Sequence, residues 1–349
     1  MTKIRIAIIG ATGYTGAELI RTLLQHPQVE IRHLTSESSA GKWIGELHAS
    51  LACLSPKTWI TEPCNVAEIA PNIDLAFLCL PHTESAKIAK QFLDRKIKVI
   101  DLSADFRLKS ALTYQKWYKG KHPHPELLKH AIYGLPELHR QYIRKAQLIA
   151  NPGCYATAAI LSAVPLVQTP WINLKSLIID AKSGISGAGK KTEARYLFCE
   201  STENFLAYGV TGHKHIPEIE QELTMGDGQR KVQITFIPHL LPIQRGILVT
   251  LYADLKKTVS AQQIWKRYSD FYKNEPFVQI LPLGKFPELK SVQASNYCQI
   301  GVHVNELQKK VIVIGVIDNL GKGASQQAIQ NMNLMFGIQE TCGLTNRHE

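Results

Sequence analysis

The stretch Lys3–His26, KIRIAIIGATGYTGAELIRTLLQH, decides how the first half of this chain folds. KIRIAIIG reads as a buried strand. YTGAELIRTLLQH carries Leu19, Ile20, Leu23 and Leu24 at helical spacing. Between the two, Gly10, Gly13 and Gly16 stand three apart. Glycines at such a turn let backbone approach a pyrophosphate, and the N–H groups opening the helix favour its charge. Strand, glycine turn and helix in this order predict dinucleotide binding rather than an empty tight turn.

Outward from this stretch, VEIRHLTS is a second strand. A ribose-binding Asp at its end would indicate NAD. Thr35, Ser36, Ser38, Ser39 and Lys42 stand there instead, and hydroxyls plus a cation suit the 2′-phosphate of NADP. Glu37 dissents, and favours NAD if it points inward. IDLAFLCLP and KVIDLS are further strands around the helical TESAKIAKQFLDRK. Strands alternating with helices predict a parallel sheet wrapped by helices. Past Asn151 the pattern changes. LKSLIIDAKSG, KVQITFIPHL, GILVTLYADL and KKVIVIGVIDNL are strand-like, around the helical SAQQIWKRYSDFYKN with Ile264, Trp265, Tyr268, Phe271 and Tyr272 on one side. The fold class is therefore α/β: an N-terminal Rossmann domain over 1–152, then an α+β domain over 153–318 with a mostly antiparallel sheet. A closing segment, 319–349, holds the helix GASQQAIQNMNLMFGI, expected to return to the first domain.

Bulk properties narrow the function. Apolar runs such as LAFLCL are too short to cross a bilayer. The N-terminus enters a strand at once, without a signal-peptide pattern, so a cytoplasmic protein is expected. Seven cysteines form no C-x-x-C pair and their number is odd, which argues against a disulfide framework and a zinc site. The net charge of +11 has no basic block of five or more behind it, so acidic small molecules fit better than nucleic acid or a membrane.

Three constellations carry chemistry. In LIANPGCYATAAIL (Leu148–Leu161), Cys154 follows a Pro-Gly break and opens a helix. Unpaired N–H groups at such a corner favour the thiolate, although a small buried filler would read the same way. In GVTGHKHIPEIEQEL, His213, His215 and Glu218 form H-x-H-x-x-E. A helix starting near Pro217 sets Glu218 to orient His215 as the proton partner of a thiol; without Cys154 this would read as a surface loop. Finally Ser183, Gly184, Ser186, Gly187, Gly189 and Lys190 suggest a backbone nest for an anion, and Arg107 and Arg245 suggest bidentate grips on a carboxylate or phosphate.

GATGYTGAEL, DLSADFRL, YGLPEL, NPGCYAT, SGISGAG, GHKHIPEIEQEL, PHLLPIQRGIL and DNLGKGA occur in an order that resembles the N-acetyl-gamma-glutamyl-phosphate reductase family, of the aspartate-semialdehyde dehydrogenase-like superfamily. The resemblance runs nearly end to end. It implies a Rossmann domain and a glyceraldehyde-3-phosphate dehydrogenase-like second domain. It implies NADPH and a step in arginine biosynthesis, with Cys154 as nucleophile and His215 as acid/base. The candidate cofactor set is Gly10, Thr12, Gly13, Tyr14, Thr15, Gly16, Ser36, Ser38, Lys42, Gly184, Ser186, Gly187 and Asn319; the candidate substrate set is Arg107, Arg245, Glu218, His213 and Ser183. A homo-oligomer, dimer or tetramer, is expected. Two positions depart from the family pattern: Ala156 stands for its usual proline and Gln326 for its usual glycine. The alternatives are a reductase of aspartyl or carrier-linked aminoadipyl phosphate, a non-enzymatic dinucleotide-binding regulator, or a nucleic-acid binder with steep salt dependence.

Overall fold

The computed structural model describes residues 3–190, 193–227 and 231–345; positions 346–349 of the expected closing segment lie outside them. The chain divides into two units, 1–152 with 324–349, and 153–323. In the first unit, β1 (Ile4–Ile9) leads into α1 (Tyr14–Leu23) and β2 (Val29–Thr35). Then come β3 (Leu75–Leu78), α2 (Glu84–Asp94), β4 (Lys98–Asp101), α3 (Ala111–Tyr118), β5 (Ile132–Tyr133), α4 (Pro136–Ile143) and β6 (Leu148–Ala150). Shorter helical turns are left unnumbered.

The six strands form one sheet in the order β2-β1-β3-β4-β6-β5, with every pair parallel. The central strands are buried on both faces and mainly apolar: Ile6, Ile8, Ala76 and Phe77 are fully enclosed. The order reverses between β1 and β3, which opens a crevice beyond their carboxyl ends, the usual ligand position in such sheets.

The second unit opens with α5 (Cys154–Val167), followed by β7 (Ile178–Gly184), β8 (Leu206–Ala207), α6 (Ile216–Asp227), β9 (Thr235–Leu241) and β10 (Ile247–Asp254). It continues with α7 (Ala261–Tyr272), β11 (Val278–Ile280), β12 (Cys298–Asn305) and β13 (Lys310–Ile317). Its sheet runs β11-β12-β13-β10-β7-β9-β8 and is mixed: β11–β12 and β7–β9 are parallel, the other four pairs antiparallel. On α7, Ile264, Tyr268 and Tyr272 are buried, while Trp265 and Phe271 stay half-buried at its margin.

Helix α5 packs against β10 and β13 and is buried all round, so it needs no polar face. Pro165 inside it has no N–H for the Leu161 carbonyl one turn back. The Tyr272 hydroxyl donates to that carbonyl at 2.6 Å, and Tyr268 donates to the next, on Ser162, at 2.5 Å. Tyr272 of α7 thus fills the gap in α5, and Tyr268 adds a second bond beside it.

The last helix, α8 (Gln326–Met335), belongs to the first unit and packs on α1, α4 and β4. Gln326 is buried there; the hydroxyl of its neighbour Ser325 donates to Thr15 O at 2.9 Å, at the start of α1. Among the described residues no helix is long and apolar enough to cross a membrane.

Candidate active site

In the first unit, the glycine turn is held open by its neighbours. Gly10 has φ +84°, and a Cβ there would lie 2.6 Å from the Cys79 carbonyl oxygen at the end of β3. Only glycine fits both the left-handed backbone and this approach. Ala11 N donates to Thr35 O at 2.9 Å, joining the turn to the end of β2. Thr12 Oγ1 and Ser36 Oγ are 3.4 Å apart. Gly13 stands at the N-cap of α1 and has no side chain to satisfy the first N–H groups, of Tyr14, Thr15 and Gly16. A pyrophosphate would complete this end of α1.

Glu37 does not remain at the ribose position by default: its Oε1 accepts the Cys64 N–H at 2.9 Å. Ser38 and Lys42 are exposed, beside buried Ser36. Hydroxyls and a cation, with the one carboxylate engaged elsewhere, fit a 2′-phosphorylated dinucleotide.

Arg107 is 9% exposed, and its guanidinium is turned to main chain. Nε donates to Asn151 O at 2.9 Å and Nη2 to Leu102 O at 3.0 Å. Asn151 is gripped on its other sides as well. Its N–H donates to Asp101 O at 2.8 Å, its Nδ2 donates to Ala324 O at 3.0 Å, and its Oδ1 accepts from Asn331 Nδ2 at 3.2 Å. This clamp fixes the end of β6. Nearby, burial first, and then the Asp105 charge, push the Asp101 carboxyl up to about 6 against hydrogen bonds from Ser85 and Ser103.

In the second unit, Cys154 is the first residue of α5, as the Pro-Gly break dictates. A Cβ on Gly323 would lie 2.9 Å from the Cys154 Cβ, so glycine there lets backbone pass against the cysteine. Glu218 is 1% exposed and its Oε1 accepts the Gly153 N–H at 2.8 Å. One oxygen of the carboxylate expected to orient His215 is thus bonded to the corner that carries Cys154.

The adjacent Tyr155 ring stands edge-on to both imidazoles, 5.8 Å from His213 and 5.9 Å from His215. The two imidazoles are 4.9 Å apart. His213 Nδ1 accepts the His215 N–H at 3.2 Å. Burial, then the His215 charge, push His213 down to about 3, so it stays neutral at neutral pH. That leaves His215 as the candidate proton carrier of the pair. The Tyr208 hydroxyl meets that of Tyr155 at 3.3 Å, and Tyr155 donates to His239 O at 2.9 Å. Burial is the main cause, with the Cys154 charge adding to it, that pushes Tyr208 up to about 12, so it remains a protonated donor near the thiol. Sequence reasoning missed Tyr155, Tyr208 and Gly323; the available signal was that Tyr155 and Gly323 stand inside the Cys154 and Gly-Lys-Gly motifs and that Tyr208 directly precedes the His213 motif.

The expected nest over Ser183–Lys190 differs from what is found. Gly184 N donates to Gly246 O at 2.9 Å, Ile185 N to Ile243 O at 2.9 Å and Ser186 N to Gln244 O at 3.2 Å. The loop that crosses from β9 to β10, over the end of β7, takes these donors, because the turn after β7 lies alongside it. Ser183 Oγ donates to Gly184 O at 3.0 Å. Asn319 joins loop and turn: its Oδ1 accepts from Gly246 N at 2.7 Å and its Nδ2 donates to Ser186 Oγ at 2.9 Å. Arg245 pairs with fully buried Asp318, Nε–Oδ2 2.9 Å and Nη2–Oδ1 2.9 Å. Asp318 also accepts the N–H groups of Ala294, Leu320 and Gly321 at 2.7–2.8 Å.

Residues 5–146 match the family model described as semialdehyde dehydrogenase, NAD binding domain, and 154–319 that described as semialdehyde dehydrogenase, dimerisation domain. A curated relative named N-acetyl-gamma-glutamyl-phosphate reductase from Campylobacter jejuni subsp. jejuni serotype O:6 is 48% identical, over 98% of each chain. The protein of that name from Pelotomaculum thermopropionicum is 48% identical over 98% of this chain and 97% of its own. Among solved structures, aspartate semialdehyde dehydrogenase II complexed with ASA from Vibrio cholerae aligns with a TM-score of 0.72 at 18% identity, over 97% of this chain and 99% of that one. Aspartate semialdehyde dehydrogenase with NADP from Candida albicans aligns with a TM-score of 0.67 at 16% identity, over 96% and 99%. At these identities the solved structures speak to fold alone.

Proposed function

Because the chain belongs to the semialdehyde dehydrogenase family, and within it to the N-acetyl-gamma-glutamyl-phosphate reductases, we propose that it reduces N-acetyl-L-glutamyl 5-phosphate to N-acetyl-L-glutamate 5-semialdehyde with release of phosphate, in arginine biosynthesis. The observation that carries this reading is a cysteine at a helix N-terminus whose neighbour Tyr155 stands edge-on to a histidine pair, one member of which stays neutral.

The Cys154 sulfur attacks the acyl carbon, and the carbon–oxygen bond to phosphate breaks as the thioester forms. This divides one hard acyl transfer into two easier steps. N–H groups at the start of α5 are suited to the oxyanion of each tetrahedral stage. NADPH, when bound, supplies the hydride that reduces the thioester carbon. The residues suited to hold it are Gly10, Thr12, Gly13, Tyr14, Thr15 and Gly16 for the pyrophosphate, and Ser36, Ser38 and Lys42 for the 2′-phosphate. His215 takes the proton of the thiol and returns one as the carbon–sulfur bond breaks, a contribution of roughly 100- to 10,000-fold. Arg107 and Arg245 act in this reading chiefly by holding main chain and Asp318. The match of 154–319 to a dimerisation domain supports a homo-oligomer, dimer or tetramer.

A reverse assay tests the proposal: N-acetylglutamate semialdehyde, phosphate and NADP are supplied and NADPH appearance is followed. Turnover should occur and should vanish in Cys154→Ser, which should still bind NADPH. Retention of a tenth of wild-type turnover in that variant would remove the nucleophile assignment. Turnover with aspartate semialdehyde alone would move the enzyme to the related acyl phosphate.

A further inference from the structure

Helix α5 has no cap from its own sequence. Gly153 occupies the capping position without a side chain, and Ala156, three residues on, has nothing to reach back with. In a capping box, a glutamate at that third position would accept the N–H of the capping residue. Here the same bond is made from another helix: Glu218 of α6, 65 positions further along, accepts the Gly153 N–H at 2.8 Å. The Gly153 carbonyl is held as well, by Thr157 N at 2.8 Å and Thr157 Oγ1 at 3.1 Å. Both main-chain groups of the residue before Cys154 are therefore fixed. The bond is shielded, since Glu218 is 1% exposed and lies on the face where α5 and α6 pack together.

We propose that Glu218 is a positioning residue that caps the Cys154 helix from α6 and thereby fixes the thiol in place. The role rests on the reading of Cys154 as nucleophile. It differs from that of a substrate ligand, and from that of a carboxylate acting only through an imidazole. The bond needs an acceptor oxygen and not a charge. Glutamine retains the oxygen at the same reach; alanine removes it. Charge and capping are therefore separable, because a negative group at a helix N-terminus opposes a second one beside it.

The test compares Glu218→Gln and Glu218→Ala in the full chain. The rate of iodoacetamide labelling of Cys154 is followed from pH 6 to 9 by mass spectrometry of the peptide that carries it. Peptide resolution is needed because Cys53 and Cys199 are exposed. Glu218→Gln should label at neutral pH at least as fast as wild type. Glu218→Ala should label tenfold or more slowly at neutral pH, with kcat down tenfold or more and KM for the acyl phosphate within twofold. A raised KM with unchanged labelling in Glu218→Ala would make the residue a substrate ligand and overturn the proposal. Equal slowing in both variants would assign the effect to charge and overturn it too. If Glu218→Ala does not fold, the Glu218→Gln profile decides: labelling at wild-type speed supports the cap, and slowed labelling refutes it. Cys154→Ser keeps the two readings apart. Turnover retained there removes the nucleophile itself. Turnover lost there, with Glu218→Ala unaffected, removes only the cap.

Discussion

Replacing His213 by asparagine should make the protein less sensitive to acid and leave the proton chemistry in place. The His213 imidazole is packed against Tyr155, Tyr208 and Phe236 and is pushed down to about 3, by burial first and the His215 charge second. In the unfolded chain an imidazole titrates near ~6.5. The folded value is the lower one, so the unfolded state binds more protons as the pH falls. The contribution of His213 to stability is therefore complete above ~6.5 and is lost progressively from there toward about 3. At pH 5 an unfolded imidazole is protonated by roughly 30 to 1 while the folded one is still neutral, which amounts to ~2 kcal/mol lost relative to pH 7.5. His213→Asn has no imidazole to protonate, and its side-chain oxygen retains an acceptor for the His215 N–H. Urea unfolding of both proteins at pH 7.5 and pH 5, followed by tryptophan fluorescence, should show the wild type losing ~2 kcal/mol more than the variant. Equal losses would refute the reasoning. Turnover should fall far less in His213→Asn than in His215→Asn, for which a ~100-fold loss is expected. The reverse order would place the proton carrier on His213.

Other outcomes follow from single contacts. NADPH should be preferred over NADH, since Glu37 is bonded to Cys64 N and Ser36, Ser38 and Lys42 remain at the end of β2; equal kcat/KM with both cofactors would refute this. Arg245→Ala strands the buried Asp318 carboxylate and should lower unfolding free energy by about 3 kcal/mol, the low end for a broken buried pair because three N–H groups still hold Asp318. Adding Asp318→Asn should recover part of that loss, and no recovery would mean that Arg245 acts otherwise. Tyr272→Phe leaves the Leu161 carbonyl freed by Pro165 without its donor and should cost ~1–2 kcal/mol in urea unfolding, with kcat unchanged.

Local pattern carried much of this protein. A strand, a glycine turn and a helix within Lys3–His26 were enough for the parallel dinucleotide-binding unit, because each of those features depends on residues a few positions apart. The same holds for the corner at Cys154, where proline and glycine force the chain from strand into helix, and for the start of α6 at Ile216 beside Pro217. Partners across long separations were not legible. Arg245 reads as a free anion ligand until Asp318, 73 positions away, is seen to neutralise it. The glycine-rich turn after β7 reads as a nest until the loop between β9 and β10 is seen to take the N–H groups of Gly184, Ile185 and Ser186. Glu218 reads as a helper of His215, three residues off, and nothing local shows that α6 also lays one of its oxygens on Gly153. Periodicity and turn chemistry are set by neighbours along the chain, so the sequence by itself determined the elements and the corner at which α5 starts with Cys154. Which donor meets which acceptor depends on how helices and loops pack, and only the tertiary structure decided which charges were left for chemistry.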